Sequence, residues 1–187
     1  NNGVYQGGMG TIAATSNGGS LAYEFDGVGD YITNTTLDLR NLPAMSWSAW
    51  VKDEKTSGHS GLFSHGVNQS FTNDTYFFQT SGTNNFQVNQ TADGTGTVTS
   101  PTLSTWNHLA VVFDGSGSTN ADRMRYFVNG VEVSLAYDYT VPTLTGNPAS
   151  SSTMIGNYIS APAHAMEGLQ DDIRVFTRAL TQAEITH

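Results

Sequence analysis

Four aspartates at two distant places in the chain are the side chains best suited to bind a metal ion. Asp26 and Asp30 flank a glycine-rich turn, and Asp171 and Asp172 begin the last apolar run. Calcium takes about six to eight oxygens from carboxylates, backbone carbonyls and water, and a glycine-rich turn exposes its carbonyls. The sequence therefore predicts a calcium site if the fold brings the two places together. In the alternative interpretation the aspartates cap turns, and Asp172 pairs with Arg174 or Arg40.

Aromatic and amide side chains form a second group, which is suited to sugars. A sugar presents flat C–H faces that pack on aromatic rings, while Asn, Gln and His side chains bond its hydroxyl groups. Alternation along Ser46–Trp50 places Trp50 opposite Trp47 across a strand, and Gln87 and Asn89 alternate with apolar residues in the same way. We expect the Trp50 face and the Gln87 and Asn89 face to form one polar surface. In the alternative interpretation Trp50 belongs to the core.

Loops next to this surface are expected to supply its rim. They comprise residues 65–71 and 159–166. The residues predicted to bind a ligand are Trp50, His65, Phe71, Tyr76, Gln87, Asn89, Tyr158 and His164.

Arrangements typical of catalysis are missing from the sequence. Glycoside hydrolysis uses two carboxylates about 5–9.5 Å apart. Glu24 and Asp26 have a suitable spacing, but no further acidic residue follows at the right distance. A Gly-x-Ser-x-Gly motif is also missing, and the lack of cysteine excludes a thiol nucleophile, a disulfide and a Cys-ligated zinc site. These observations favour binding over catalysis.

The charge balance narrows the range of partners. The chain has 187 residues, of which 12% are charged, with 16 acidic against 7 basic side chains and a net charge of -9. Such a chain has no basic face for nucleic acid and little affinity for anionic membranes. No apolar run approaches the ~20 residues of a membrane-spanning helix. The length fits one domain, residues 1–187, and the start at Asn1 suggests a piece of a longer protein.

Periodicity indicates an all-β chain. Short runs rich in Val, Phe, Tyr, Trp and Thr alternate with Gly, Asn, Ser and Asp clusters, as is typical of a sandwich or barrel. Asn129-Gly130 predicts a two-residue hairpin turn, because both residues tolerate a positive φ. Thr181 and Glu184 have the spacing of a capping box, which predicts one short helical turn at 181–185.

The order of these motifs resembles the laminin G-like, concanavalin A-like jelly-roll domains over residues 21–185. The resemblance implies a two-sheet antiparallel jelly-roll β-sandwich with one short C-terminal helical turn. It also implies that the first and last strands are neighbours, which would bring the four aspartates together at a structural calcium ion. The motifs that carry the resemblance are LAYEFDGVGDYI (21–32), MSWSAWVK (45–52), WNHLAVVFDG (106–115), RYFVNGVEV (125–133), MIGNY (154–158) and GLQDDIRVFTRALTQAEI (168–185).

Function has to be argued from the site, because this fold serves many activities. We expect a non-catalytic, lectin-like carbohydrate-binding module with structural calcium, from a secreted or cell-surface multidomain bacterial protein. Its partners would be a polysaccharide or other glycan and the neighbouring domains of the same chain. The first alternative is an adhesion or spacer module. The second alternative is a polysaccharide hydrolase or lyase of the same fold.

Overall fold

The chain is built almost entirely of β-strands. A computed structural model describes residues 4–6, 11–13, 21–66, 73–80, 82–88, 94–99, 101–149, 152–157 and 164–186. Two short helices, α1 (Asn120–Arg123) and α2 (Gln182–Ile185), accompany the strands. The strands are β1 (Val4–Gln6), β2 (Thr11–Ala13), β3 (Leu21–Asp26), β4 (Tyr31–Asn34), β5 (Ala44–Asp53), β6 (His59–His65), β7 (Thr75–Thr80), β8 (Thr83–Val88), β9 (Gly94–Thr99), β10 (Asn107–Asp114), β11 (Met124–Val128), β12 (Val131–Val133), β13 (Ala136–Tyr137), β14 (Thr153–Ile155) and β15 (Glu167–Phe176).

The strands form two antiparallel sheets. An eight-stranded sheet has the order β1-β4-β14-β6-β7-β8-β9-β13, and a seven-stranded sheet has the order β12-β11-β10-β5-β15-β3-β2. The last strand, β15, pairs with β3 and with β5, so the beginning and the end of the chain meet as expected. The prediction of a two-sheet jelly-roll sandwich is confirmed.

The core lies between the two sheets. Trp47 from the seven-stranded sheet is fully buried, and its ring centroid lies 6.3 Å from that of Phe63 and 5.8 Å from that of Phe77. Both phenylalanines belong to the eight-stranded sheet, and Phe86 continues their row on β8. Each fully buried aromatic side chain of this kind stabilises the fold by roughly 1.5–3 kcal/mol. Inward rings therefore hold the sandwich together, and the alternate residues of the same strands face outward.

Two local predictions are confirmed at the edges of the sandwich. Asn129 and Gly130 have φ angles of 51° and 78°, and they join β11 to β12. The Thr181 hydroxyl accepts a hydrogen bond from the Glu184 N–H, and the Glu184 carboxylate accepts one from the Thr181 N–H. This capping box starts α2, and the segment that contains it buries Ile185 against the outer side of the seven-stranded sheet.

Two β-bulges interrupt the alternation of the strands. In β6 the register shifts between Gly61 and Phe63, and in β15 it shifts between Asp171 and Arg174. A bulge adds one residue to one strand, so inner and outer positions exchange beyond it. Asp172, at the second bulge, has a φ of 47°. Both bulges decide which side chains reach the outer surfaces.

Candidate ligand-binding faces

The four aspartates are not brought together. Asp26 on β3 lies opposite Glu167 on β15. Asp171 is four residues further along β15, about 13 Å away at roughly 3.3 Å per residue, and it lies opposite Trp50 of β5. The prediction that the fold joins the two aspartate pairs is therefore wrong. The strands β3 and β15 are neighbours, as predicted, but their register keeps the carboxylates apart.

Each aspartate stabilises its own turn or bulge. Asp26 Oδ1 accepts hydrogen bonds from the N–H of Val28 at 2.8 Å and of Gly29 at 3.3 Å, and Asp30 Oδ2 accepts one from the Asp26 N–H at 3.2 Å. Asp171 Oδ1 accepts a hydrogen bond from the N–H of the next residue at 2.7 Å.

No group of three or more His, Cys, Asp or Glu residues in the described part of the chain is placed to hold a metal ion. The observed bonds agree with the turn-capping interpretation, and the four aspartates do not fit a single calcium ion. Arg174 Nε donates to Asp172 Oδ1 at 2.8 Å, which is the ion pair named in that interpretation.

His65 faces the interior and not a ligand. It is 1% exposed, and its Nε2 accepts a hydrogen bond from the Leu39 N–H at 3.3 Å. The proton is therefore on Nδ1, which donates to the Thr153 hydroxyl at 3.0 Å. Burial lowers the pKa of the imidazole to about 4. The prediction that His65 contacts a ligand is therefore wrong, because the β6 bulge turns His65 to the side opposite His59.

Aromatic and amide side chains gather on the outer side of the eight-stranded sheet, and we call this set the aromatic face. The ring centroids of His59 and Phe78 are 5.2 Å apart, those of His59 and His164 are 4.8 Å apart, and those of Tyr76 and Phe78 are 5.5 Å apart. Gln87 lies opposite Tyr76 in the β7–β8 pair. Tyr76 and Phe78 are two positions apart on β7 and therefore face the same way, and His59 lies on the neighbouring strand β6.

The aromatic face has a buried floor and a partly exposed upper layer. Tyr76 and Gln87 are each 3% exposed, and the Tyr76 hydroxyl donates a hydrogen bond to Gln87 Oε1. His59, Phe78 and His164 are partly exposed above this pair. Burial lowers the pKa of His164, and the nearby His59 lowers it further. The upper layer therefore offers an uncharged His164 ring next to His59, with the apolar Phe78 ring on the other side of His59.

Three of the eight predicted ligand residues, Tyr76, Gln87 and His164, thus lie together. Phe71, Asn89 and Tyr158 lie outside the described residues. Phe78 was missed by the sequence-based prediction, although alternation along β7 places it on the same side as Tyr76, two positions away.

Trp50 lies on the opposite side of the molecule. It belongs to β5 of the seven-stranded sheet, whereas Gln87 belongs to β8 of the eight-stranded sheet. Their outer faces point away from each other, so the prediction of one shared polar surface is wrong. The alternation along β5 correctly predicted that Trp47 is buried and that Trp50 is partly exposed. Alternation within a strand does not indicate which sheet the strand joins.

A groove of about 420 Å³ opens beside Trp50, and we call it the Trp50 groove. Its floor is the outer side of β10, β5 and β15, and its walls are the Asn129-Gly130 turn and the segment around α2. The Trp50 and His108 rings are 5.5 Å apart. The polar and aromatic residues that line it include Ser48, Trp50, His108, Asp172, Arg174 and Arg178.

Residues 26–186 match the concanavalin A-like lectin/glucanases superfamily. This match spans most of the chain, and the protein belongs to that superfamily. No curated protein matches the chain in sequence. Among the described residues, no helix is long and apolar enough to cross a membrane.

Solved structures share the fold at low sequence identity. A mutant of the NanB sialidase from Streptococcus pneumoniae is 17% identical with a TM-score of 0.68, and the match covers 95% of this chain and 27% of the sialidase. Domain 4 of AbnA, an extracellular arabinanase from Geobacillus stearothermophilus, was solved with arabinotriose; it is 19% identical with a TM-score of 0.62, covering 97% of this chain and 81% of that one. The CBM40 of a Ruminococcus gnavus sialidase, bound to α2,3-sialyllactose, is 15% identical with a TM-score of 0.66, covering 88% and 94%.

Proposed function

We propose that the protein is a non-catalytic carbohydrate-binding module that holds its glycan on the aromatic face. The observation that carries the proposal is the row of partly exposed rings, His164, His59 and Phe78, at centroid separations of 4.8 and 5.2 Å. Rings in such a row offer stacking positions to the C–H faces of a sugar, each worth roughly 0.5–1.5 kcal/mol.

Polar groups beside the rings supply hydrogen bonds to hydroxyl groups. Asn85 lies opposite Phe78 in the β7–β8 pair and is partly exposed. The uncharged His164 ring offers one donor and one acceptor. The Tyr76–Gln87 pair lies beneath and fixes the floor. Stacking over a rigid floor, with few polar anchors at the edge, is a common design of small-molecule sites.

The proposal is that this face binds a glycan and catalyses no reaction on it. None of the five residues that define the face is a carboxylic acid, whereas glycoside hydrolysis uses a pair of carboxylic acids.

Two solved structures of the same fold contain sugars, which supports a glycan ligand. One of them is a domain of an extracellular bacterial enzyme, and the sialidase match spans only part of a longer chain. We therefore propose that the module belongs to a secreted or cell-surface bacterial protein that has other domains.

The test is glycan binding by the protein and by two ring variants. Phe78→Ala removes the ring at one end of the row and is expected to weaken binding about 3- to 10-fold. Tyr139→Ala is the matched control, because Tyr139 is an exposed ring that belongs to neither face. A glycan microarray identifies the ligand, and isothermal titration calorimetry measures both variants. Equal affinities of the two variants, or no binding to any glycan, would overturn the proposal.

A further inference from the structure

We infer that the Trp50 groove is a second saccharide site, selective for neutral glycans, on the side of the sandwich opposite the aromatic face. The inference depends on the residues of the groove alone. The groove could therefore bind a glycan even if the aromatic face binds none, and each site is open to a separate test.

The size and depth of the groove suit a small saccharide. Its volume of about 420 Å³ lies in the range of roughly 300–1,000 Å³ that small-ligand sites occupy. Trp50 is the one tryptophan of three that lines it. Trp47 is buried in the core, and Trp106 packs against Ala22 and Leu169. A partly exposed indole in a concave, mostly polar surface is a stacking platform for a sugar ring.

The β15 bulge supplies the polar anchor of the groove. Asp172 has a left-handed backbone, a conformation that costs a non-glycine residue about 1 kcal/mol or more. Backbone strain of this kind is often found at functional sites. Here the bulge turns the Asp172 side chain outward, beside Arg174. The Arg174 Nε–Asp172 Oδ1 bond of 2.8 Å uses one oxygen and one nitrogen of the pair.

The rest of this ion pair is available to a ligand. Within the described residues, Asp172 Oδ2 accepts no hydrogen bond, and the terminal nitrogens of Arg174 donate none. A carboxylate oxygen next to guanidinium N–H groups matches two adjacent hydroxyl groups, since one hydroxyl donates and the other accepts. The Ser48 hydroxyl lines the same groove. The pair therefore recognises a vicinal diol, which is the feature common to most sugars.

The balance of charges selects an uncharged ligand. Each arginine that lines the groove has its own carboxylate: Arg174 pairs with Asp172, and Arg178 pairs with Glu184 through bonds of 2.9 and 2.6 Å. Burial also lowers the pKa of His108, which favours its uncharged form. A sugar carboxylate would meet no unpaired cation and two carboxylates. Acidic saccharides are therefore expected to bind less well than neutral ones.

The experiment compares two aspartates that make the same type of ion pair. Asp172→Asn removes the carboxylate from the groove, and asparagine tolerates the left-handed backbone. Asp38→Asn is the matched control, because Arg40 Nε donates to Asp38 Oδ1 at 2.8 Å with the same spacing of two residues, outside the groove. The probes are cellotriose, maltotriose, mannotriose, arabinotriose and α2,3-sialyllactose, titrated by calorimetry and by tryptophan fluorescence.

The inference predicts binding of at least one neutral trisaccharide with a change in Trp50 fluorescence. Asp172→Asn is expected to weaken this binding about tenfold or more, and Asp38→Asn to leave it unchanged. Trp50→Phe, which keeps a ring, is expected to lose less affinity than Trp50→Ala, and melting curves check that all variants are folded. Stronger binding of sialyllactose, equal affinities of the two asparagine variants, or no binding of any neutral probe would overturn the inference.

Failure of this site is distinguishable from failure of the aromatic face. If Phe78→Ala abolishes all saccharide binding and Asp172→Asn changes nothing, the groove is not a site and the aromatic face stands. The reverse pattern leaves the groove as the saccharide site and refutes the aromatic face. Partial losses in each variant, with a stoichiometry of two, support both.

Discussion

The aromatic face and the Trp50 groove lie on opposite sides of one sandwich and are built in different ways. The aromatic face is built on three neighbouring strands, since β6, β7 and β8 carry His59, Phe78 and Gln87, and His164 joins it from the segment before β15. The Trp50 groove depends on departures from regular structure, namely the β15 bulge and the segment around α2 that forms a wall. The first has stacked rings and the second has paired charges. One fold therefore carries two surfaces of different chemistry, and variants of each surface test whether it can be changed without the other.

Removing the wall of the groove should have the largest effect. Ile185 is 4% exposed and packs with Ala110, Val112 and Phe127 on the outer side of the seven-stranded sheet. Ile185→Ala should lower the free energy of unfolding by about 2–4 kcal/mol and weaken binding in the groove, while leaving the aromatic face intact. Chemical denaturation and calorimetry measure the two effects. Val131→Ala, at an exposed hairpin position, is the control, and an equal loss of binding on both faces would refute the independence of the two sites.

The eight-stranded sheet should lose stability in acid through His65. Its pKa of about 4 in the folded protein is below the usual value of about 6.5, so the unfolded chain binds more protons between these values. This contribution is complete above pH 6.5 and is lost as the pH falls toward 4, by about 3 kcal/mol. His65→Gln keeps an acceptor for the Leu39 N–H without titrating. Urea denaturation from pH 4 to 7 should show that this variant gains stability relative to the unchanged protein as the pH falls; an unchanged pH profile would contradict the assignment.

Asp53, in the seven-stranded sheet, should make the protein less stable as the pH rises, which is opposite to the effect of His65. It is 4% exposed, its Oδ2 has no hydrogen-bond partner among the described residues, and burial raises its pKa to about 6. The folded protein then holds the extra proton between pH 4 and 6. Stability from this group is complete below about pH 3.8 and falls by about 3 kcal/mol as the pH rises to 6.

The variant Asp53→Asn separates this contribution from that of His65. Because the two groups oppose each other, the protein itself should show a nearly flat profile between pH 4 and 6. Asp53→Asn should become more stable as the pH rises over this range, and His65→Gln should become less stable. Parallel profiles for the two variants would show that the assignments are wrong.

The smallest effect is expected from removal of divalent cations. The carboxylates of Asp26, Asp30 and Asp172 already accept hydrogen bonds from the protein, and they do not converge. EDTA should therefore change the melting temperature by less than about 1 °C, since only a ligand bound to the folded state adds stability. A clear fall in EDTA that added calcium reverses would restore the calcium site predicted from the sequence.

Local patterns in the sequence predicted local structure well. Alternation separated Trp47 from Trp50, the Asn129-Gly130 pair marked its hairpin, and Thr181 with Glu184 marked the start of α2. These features depend on residues within a few positions of each other. The order of motifs then gave the jelly-roll fold, because that order fixes which strands follow one another.

Long-range features could not be predicted in the same way. Asp26 and Glu167 are opposite each other because of a register set between strands that are far apart in sequence. Trp50 and Gln87 are separated because their strands join different sheets. Neither register nor sheet membership is encoded in a short run of residues, so the predicted convergence of the four aspartates and the predicted shared surface were both wrong.

The bulge in β6 shows how a surface can change while the fold stays the same. Side chains along a strand alternate between the two faces of the sheet, and one extra residue exchanges the faces for every position after it. His59 and His65 are six positions apart and would face the same way in a regular strand; the extra residue assigns one to the outer surface and the other to the interior. An insertion or deletion of one residue can therefore exchange an outward-facing histidine for a buried one. Members of this fold can in this way acquire or lose recognition chemistry by a change of length, without any substitution at the site.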